Sequence, residues 1–152
     1  MSTKFPNLFH GIGKLKDVEV QLHIDSTVTP VAQQPQRIPF HIRKKVEAEL
    51  SNFEQRGIIE RVDGPTPWVS PLVVTPKKNG GVRICVDMRM ANRAIKRERH
   101  PMPTVDDLIH TLNGAIVFFK LDLRAGYHQL TLALESQYIT TFATHKRLWR
   151  YT

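Results

Sequence analysis

The 152-residue chain carries a single cysteine, Cys85. One thiol excludes a disulfide framework within the chain and a CxxC zinc site. Long apolar runs are missing as well: no stretch approaches the ~18 residues of a membrane-spanning helix. The opening MSTKFPNLFHGIGKLKD lacks the apolar centre of a secretory signal, so an intracellular setting, cytoplasm or nucleus, is expected. The seven histidines show no zinc-ligand spacing. There is no internal repeat and no low-complexity tract. Acids are scarce. Asp and Glu number 14 against 22 Lys and Arg, leaving a formal charge of +8. That balance favours a polyanionic partner, nucleic acid first and an anionic membrane second, with a merely basic soluble protein as the alternative.

What is present suffices for one folded domain. The hydrophobic fraction is 41%, ordinary for a globular core. Residues 17–24, DVEVQLHI, alternate polar and apolar and predict a half-exposed strand. Pro30, Pro35 and Pro39 then impose an extended connector. Over residues 40–56, Ile42, Val46, Leu50 and Phe53 recur at helical spacing, with Gly57 as the stop. IIERV at 58–62 predicts a short strand. Two apolar runs, 72–75 and 82–86, flank Lys77-Lys78-Asn79-Gly80-Gly81 and predict a hairpin with a basic tip. Thr104 with Asp107 has capping-box spacing and predicts a helix ending at Gly114. The run AIVFFKL predicts a buried strand that ends at Asp122. QLTLAL and YITTFAT predict two more strands with a turn at Glu135-Ser136. Strands and two or three helices without a β-α-β rhythm predict an α+β fold with a mixed sheet.

Three places can carry chemistry. Asp122 either caps a short helical turn at 123–126 or is an oxygen ligand for a hard cation such as Mg²⁺. The hairpin tip offers Lys77, Lys78 and backbone N–H groups to an anion, and Arg83 on the next strand can clamp a phosphate; alternatively it is a solvated edge protected by lysine. Tyr127 either packs in a core or forms a wall for a sugar. The Asp106-Asp107 pair resembles a catalytic dyad, but first-turn acids simply suit a helix dipole.

These residues also sit in recognisable strings. SPLVVTPKKNGGVRICVDMRMAN, HPMPTVDDLI and FKLDLRAGYHQL occur in one order, and together the chain resembles, from about residue 15 onward, the N-terminal part of the reverse transcriptase of gypsy-type LTR retrotransposons. The resemblance implies an RNA-directed DNA polymerase with a right-hand fold. It divides the chain into an N-terminal linker (1–14), fingers (15–96), a strip of palm (97–130) and a return into the fingers (131–152). It implies that Asp122 is the first catalytic aspartate and a metal ligand, with the Leu123 carbonyl beside it. Tyr127 falls on the position that excludes a ribose 2′-OH. Lys77, Lys78, Arg83 and Arg124 fall where the incoming nucleotide is held. Asp87, Arg89 and Asn92 fall in a segment that supports the template. The implied cofactor is Mg²⁺, two ions in a complete enzyme. The implied partners are an RNA or DNA template–primer and a dNTP, with no membrane.

Two positions depart from the family pattern: Met88 stands where Tyr or Phe is usual, and Ala91 where Leu is usual. The sequence ends at LWRYT, ahead of the family's M-P-F-G-L segment. The Y-x-D-D motif, the thumb and the RNase H region are therefore expected from a longer polyprotein. A catalytically dead nucleic-acid-binding remnant, or a truncated reading frame, is the alternative. One carboxylate cannot hold two ions ~3.5–4 Å apart, so no synthesis is expected from these 152 residues alone. Without the Y-x-D-D hairpin, Val117, Phe118 and Phe119 are expected to lack part of their cover.

Overall fold

The computed structural model describes residues 11–78 and 80–152; most of the expected N-terminal linker, residues 1–10, and Asn79 of the hairpin tip lie outside the described residues. The fold is α+β, with a five-stranded mixed sheet and three α-helices among these residues.

The first helix, α1 (Arg43–Gln55), follows a single 3₁₀ turn at Phe40–Ile42. Pro39 immediately before that turn has the fixed φ that suits a helix entry. Val46, Leu50 and Phe53 are its buried face, at i, i+4 and i+7. Gly57 has φ +63°. Its N–H donates to the Glu54 carbonyl, and the Ile58 N–H donates to the Phe53 carbonyl. That pair of bonds is a Schellman stop, closed by the buried Ile58 and Phe53 in one core cluster. A side chain at position 57 would force an L-residue into the left-handed region. Gly57→Ala is therefore expected to lower stability by about 1–2 kcal/mol, read as a lower urea midpoint at unchanged m-value.

Strands β2 (Ile59–Val62), β3 (Ser70–Pro76) and β4 (Val82–Val86) follow in sequence, but β2 does not pair with β3. Late strands β6 (Phe142–Ala143) and β7 (Leu148–Tyr151) insert between them, giving the order β2-β7-β6-β3-β4. Within this sheet only the β3–β6 pairing is parallel. In β4 the burial alternates, so Val82, Ile84 and Val86 face the core while Arg83 and Cys85 face out. Helix α1 packs on this sheet. Ile38, Val46, Leu50, Phe53, Leu72 and Phe142 belong to the shared cluster, and each such side chain contributes roughly 1.5–3 kcal/mol by leaving water. A second cluster, around Trp68, Ala91, Ala94 and Ile139, also takes up Leu22, Ile24 and Met88.

The β6–β7 turn is fastened to α1. Glu47 accepts from His145 Nε2 and Lys146 Nζ, each at 2.9 Å. Those bonds, Lys146 first, hold the Glu47 carboxyl below its ordinary range.

Several expected strands are shorter or are turns. In DVEVQLHI only β1 (Glu19–Val20) is a strand, parallel to the two-residue β5 (Thr131–Leu132). The ladder stops there because the Leu22 N–H donates to the buried Ser136 hydroxyl. QLTLAL and YITTFAT contain just β5 and β6 of the expected strands. The Glu135-Ser136 turn is instead a short helix, α3 (Leu134–Gln137), followed by a 3₁₀ turn at Tyr138–Thr140. The Thr140 and Thr141 hydroxyls donate to the Gln137 and Tyr138 carbonyls three residues back. Such local bonds favour a turn over a ladder.

Candidate active site

Helix α2 (Val105–Leu112) leads into the segment that holds Asp122. Its capping box forms as expected: Asp107 N–H donates to the Thr104 hydroxyl oxygen, and Thr104 N–H donates to the Asp107 carboxylate at 2.8 Å. Yet α2 has no buried residue. The segment after it differs from the expectation of a buried strand. Residues 115–121 form no strand, and Ile116 is 93% and Phe119 81% exposed. No strand among the described residues pairs with it. An apolar run becomes a strand only when neighbours satisfy its backbone and cover its side chains. The missing cover expected for Val117, Phe118 and Phe119 is thus what is observed.

Asp122 is exposed and does not cap a helix. The 3₁₀ turn begins at Gly126, with Ala125 as its cap position and no side-chain cap. Ala125 has φ +51°, left-handed for a non-glycine residue. The His128 N–H donates to the Ala125 carbonyl, and the Gln129 side-chain amide donates to the Arg124 carbonyl at 3.0 Å. These bonds hold the bend between Asp122 and Tyr127.

Beyond the bend lies a cavity of about 840 Å³, whose walls include Arg124, Tyr127, His128, Arg56 and Tyr151. Tyr127 is 91% exposed, so it is wall rather than core. His128 meets the Phe53 ring edge-on at 5.1 Å between centroids and stacks on Tyr151 at 6.4 Å. Burial, then the nearby Arg56 charge, lowers the His128 pKa. Its ring anchors the 122–129 segment to the α1 core. Burial likewise raises the Tyr151 pKa. Arg56 and Tyr151 do not stand out in the sequence, and His128 lies in the string FKLDLRAGYHQL without a role assigned to it. They come from three distant segments, and no local spacing marks them.

The other expected residues are placed as follows. Lys77, Lys78 and Arg83 are exposed on the β3–β4 hairpin. The Gly80 N–H is already donated to the Lys77 carbonyl at 3.0 Å, so that amide closes the turn instead of cradling an anion. Lys45 Nζ donates to the Gly80 carbonyl at 2.7 Å, tying the tip to α1. After β4, Arg89 grips the Asp87 carboxylate, with its Nη2 2.6 Å from Oδ2. That contact holds the Asp87 carboxyl below its ordinary range, while the Arg89 side chain stays exposed. Asn92 is exposed in a 3₁₀ turn. Met88 and Ala91, the two departures from the family pattern, both pack in the second core cluster.

No group of three or more His, Cys, Asp or Glu among the described residues is arranged to hold a metal ion. Asp122 and Leu123 are both exposed and belong to no such group.

The described residues thus combine a mixed sheet with a helix packed on it, a basic hairpin and an exposed aspartate ahead of a left-handed bend. Solved structures share this fold. The foamy virus protease–reverse transcriptase superposes with a TM-score of 0.82 at 19% identity, covering 99% of this chain and 20% of that one. A foamy viral protease–reverse transcriptase solved with double-stranded DNA gives 0.77 at 19% identity, covering 99% and 27%. The chain belongs to the reverse transcriptase (RNA-dependent DNA polymerase) family, which it matches over residues 75–152. Related sequences include an uncharacterized protein of Caenorhabditis elegans, 30% identical over 99% of this chain and 12% of its own length. The retrovirus-related Pol polyprotein from transposon 412 of Drosophila melanogaster is 29% identical over 96% and 11%. The Transposon Tf2-3 polyprotein of Schizosaccharomyces pombe is 24% identical over 97% and 10%. The chain thus spans about a tenth of the length of these relatives.

Proposed function

We propose that this chain supplies the fingers and the first catalytic carboxylate of an RNA-directed DNA polymerase acting on a nucleic-acid template–primer and a dNTP. Residues 15–96 and 131–152 would be fingers, and 97–130 a strip of palm. One observation carries the reading: within the segment matched to the family, the Asp122 carboxylate is exposed and has no hydrogen-bonding partner among the described residues. Arg124 and Tyr127 follow it on the wall of the cavity, where they would flank a nucleotide. Lys77, Lys78 and Arg83 would meet phosphates, and Arg89, pre-oriented by Asp87, would meet the template backbone with Asn92. The family depends on a divalent metal. The specific proposal is Mg²⁺, bound by Asp122 together with carboxylates outside these 152 residues. Such ions stabilise charge on the transferring phosphoryl group.

The test is binding of a labelled primer–template by the purified chain across a salt series. The expected result is an affinity that falls linearly with salt on logarithmic axes, with a slope near −0.9 per phosphate contacted, and no Mg²⁺-dependent primer extension. Salt-independent or absent binding would sink the fingers assignment. Extension by the chain alone would show that Asp122 does not need partners.

A further inference from the structure

Phe40 is an outlier in the body of the fold. Among the described residues before residue 100, the other exposed large apolar side chains, Leu15 and Val18, reach at most 50%, whereas Phe40 is 84% exposed. It is not a loosely placed side chain. Pro39 and the 3₁₀ turn of Phe40–Ile42 set its backbone at the entrance of α1. Arg43 sits over the ring, with the guanidinium carbon 5.3 Å from the centroid. Arg43 is itself held, since its Nε donates to the Ile38 carbonyl at 3.1 Å. One face of the ring is thus backed by a fixed cation, and the other faces solvent.

The surroundings are charged in one sense. From Ser26 to Val46 there is no acidic residue, while Arg37, His41, Arg43, Lys44 and Lys45 all fall there. Arg37, His41, Lys44 and Lys45 are exposed. The nearest acid on the helix, Glu47, is engaged by Lys146 and His145. Lys45 reaches from this helix entrance to the hairpin tip at Gly80, which carries the exposed Lys77 and Lys78. A cation-backed aromatic face bordered by lysines suits a planar, electron-rich group attached to an anion. Unpaired nucleotides have that chemistry: the base stacks on the ring, and its phosphates meet the lysines. A duplex keeps its bases stacked on each other and leaves a face open only at its two terminal pairs.

We infer that Phe40, backed by Arg43, is a stacking platform for a base of a single-stranded polynucleotide. This rests on the proposed nucleic-acid-binding role and adds to it a site away from Asp122 and the cavity.

The experiment compares the parent chain with Phe40→Ala and Phe40→Trp, using an unpaired oligonucleotide, the same strand with abasic sites, and a blunt duplex. Melting curves confirm that each variant is folded, which the exposure of the ring favours. Phe40→Ala is expected to weaken single-strand binding about tenfold, with duplex binding and the salt slope unchanged. Phe40→Trp should restore it, and the abasic strand should bind both parent and Phe40→Ala equally weakly. Equal single-strand affinity for parent and Phe40→Ala overturns the platform while leaving the fingers reading intact. So does an equal loss on duplex, or loss of capture of a protein partner with nucleic-acid binding unchanged. Failure of the parent to bind any of the three probes overturns both.

Discussion

Asp122→Asn, made in a polypeptide that joins this chain to the downstream carboxylates of a reverse transcriptase, is expected to reduce DNA synthesis by about 10³-fold or more. Affinity for primer–template should stay within about twofold, because nucleic acid binding rests on the cations and not on this acid. The substitution keeps size and shape and removes one negative charge. Where an aspartate caps a helix or pairs with a buried cation, such a change also disturbs the fold. Here it does not: the carboxylate is exposed, caps no helix and has no hydrogen-bonding partner among the described residues. Any loss therefore reads on function and leaves the melting temperature in place. Asp87 is the informative contrast. Its carboxylate is committed to Arg89 through three side-chain contacts, so an amide there acts by releasing the arginine. Single-turnover primer extension at saturating template separates the two. A variant that synthesises DNA within a factor of ten of the parent would remove Asp122 from the catalytic role.

The parts of the fold that could be read from sequence are those whose cause is local. Helix α1 and its Gly57 stop, the β3–β4 hairpin and the Thr104–Asp107 box each depend on residues a few positions apart. The parts that could not be read depend on distant partners. Nothing in IIERV indicates that its neighbour is LWRY, almost ninety residues later. Nothing in YITTFAT, rich in β-branched and aromatic residues, indicates that two threonine hydroxyls will turn it into a 3₁₀ step. The candidate site divides the same way. Asp122, Arg124 and Tyr127 lie in one short string and are recognised together, while Arg56, His128 and Tyr151 become neighbours of the cavity only when α1, the bend and β7 pack. The strained Ala125 has no signature at all, because left-handed turns are normally signalled by Gly or Asn.

The segment that runs from α2 to Leu123 supports the second large effect. In the isolated chain, Phe118→Ala is expected to change unfolding free energy by less than about 0.5 kcal/mol, the range for surface positions, because the ring is 62% exposed. In a polypeptide that includes the rest of a palm, the same substitution is expected to cost about 3–5 kcal/mol, as for a buried Phe. The difference has a physical origin. Val105, Leu108, Ile109 and Leu112 form one face of α2 at i, i+3, i+4 and i+7, and all are exposed, as are Ile116 to Phe119. A helix with a complete capping box and an apolar stripe without cover is specified for a packing that the described residues do not supply. The same surface should make the isolated chain associate at micromolar concentration, and Phe119→Lys should reduce that association in sedimentation without lowering the melting midpoint. Equal costs for Phe118→Ala in the two contexts would mean that the apolar run is not a palm strand, and the structural setting assigned to Asp122 would fail with it.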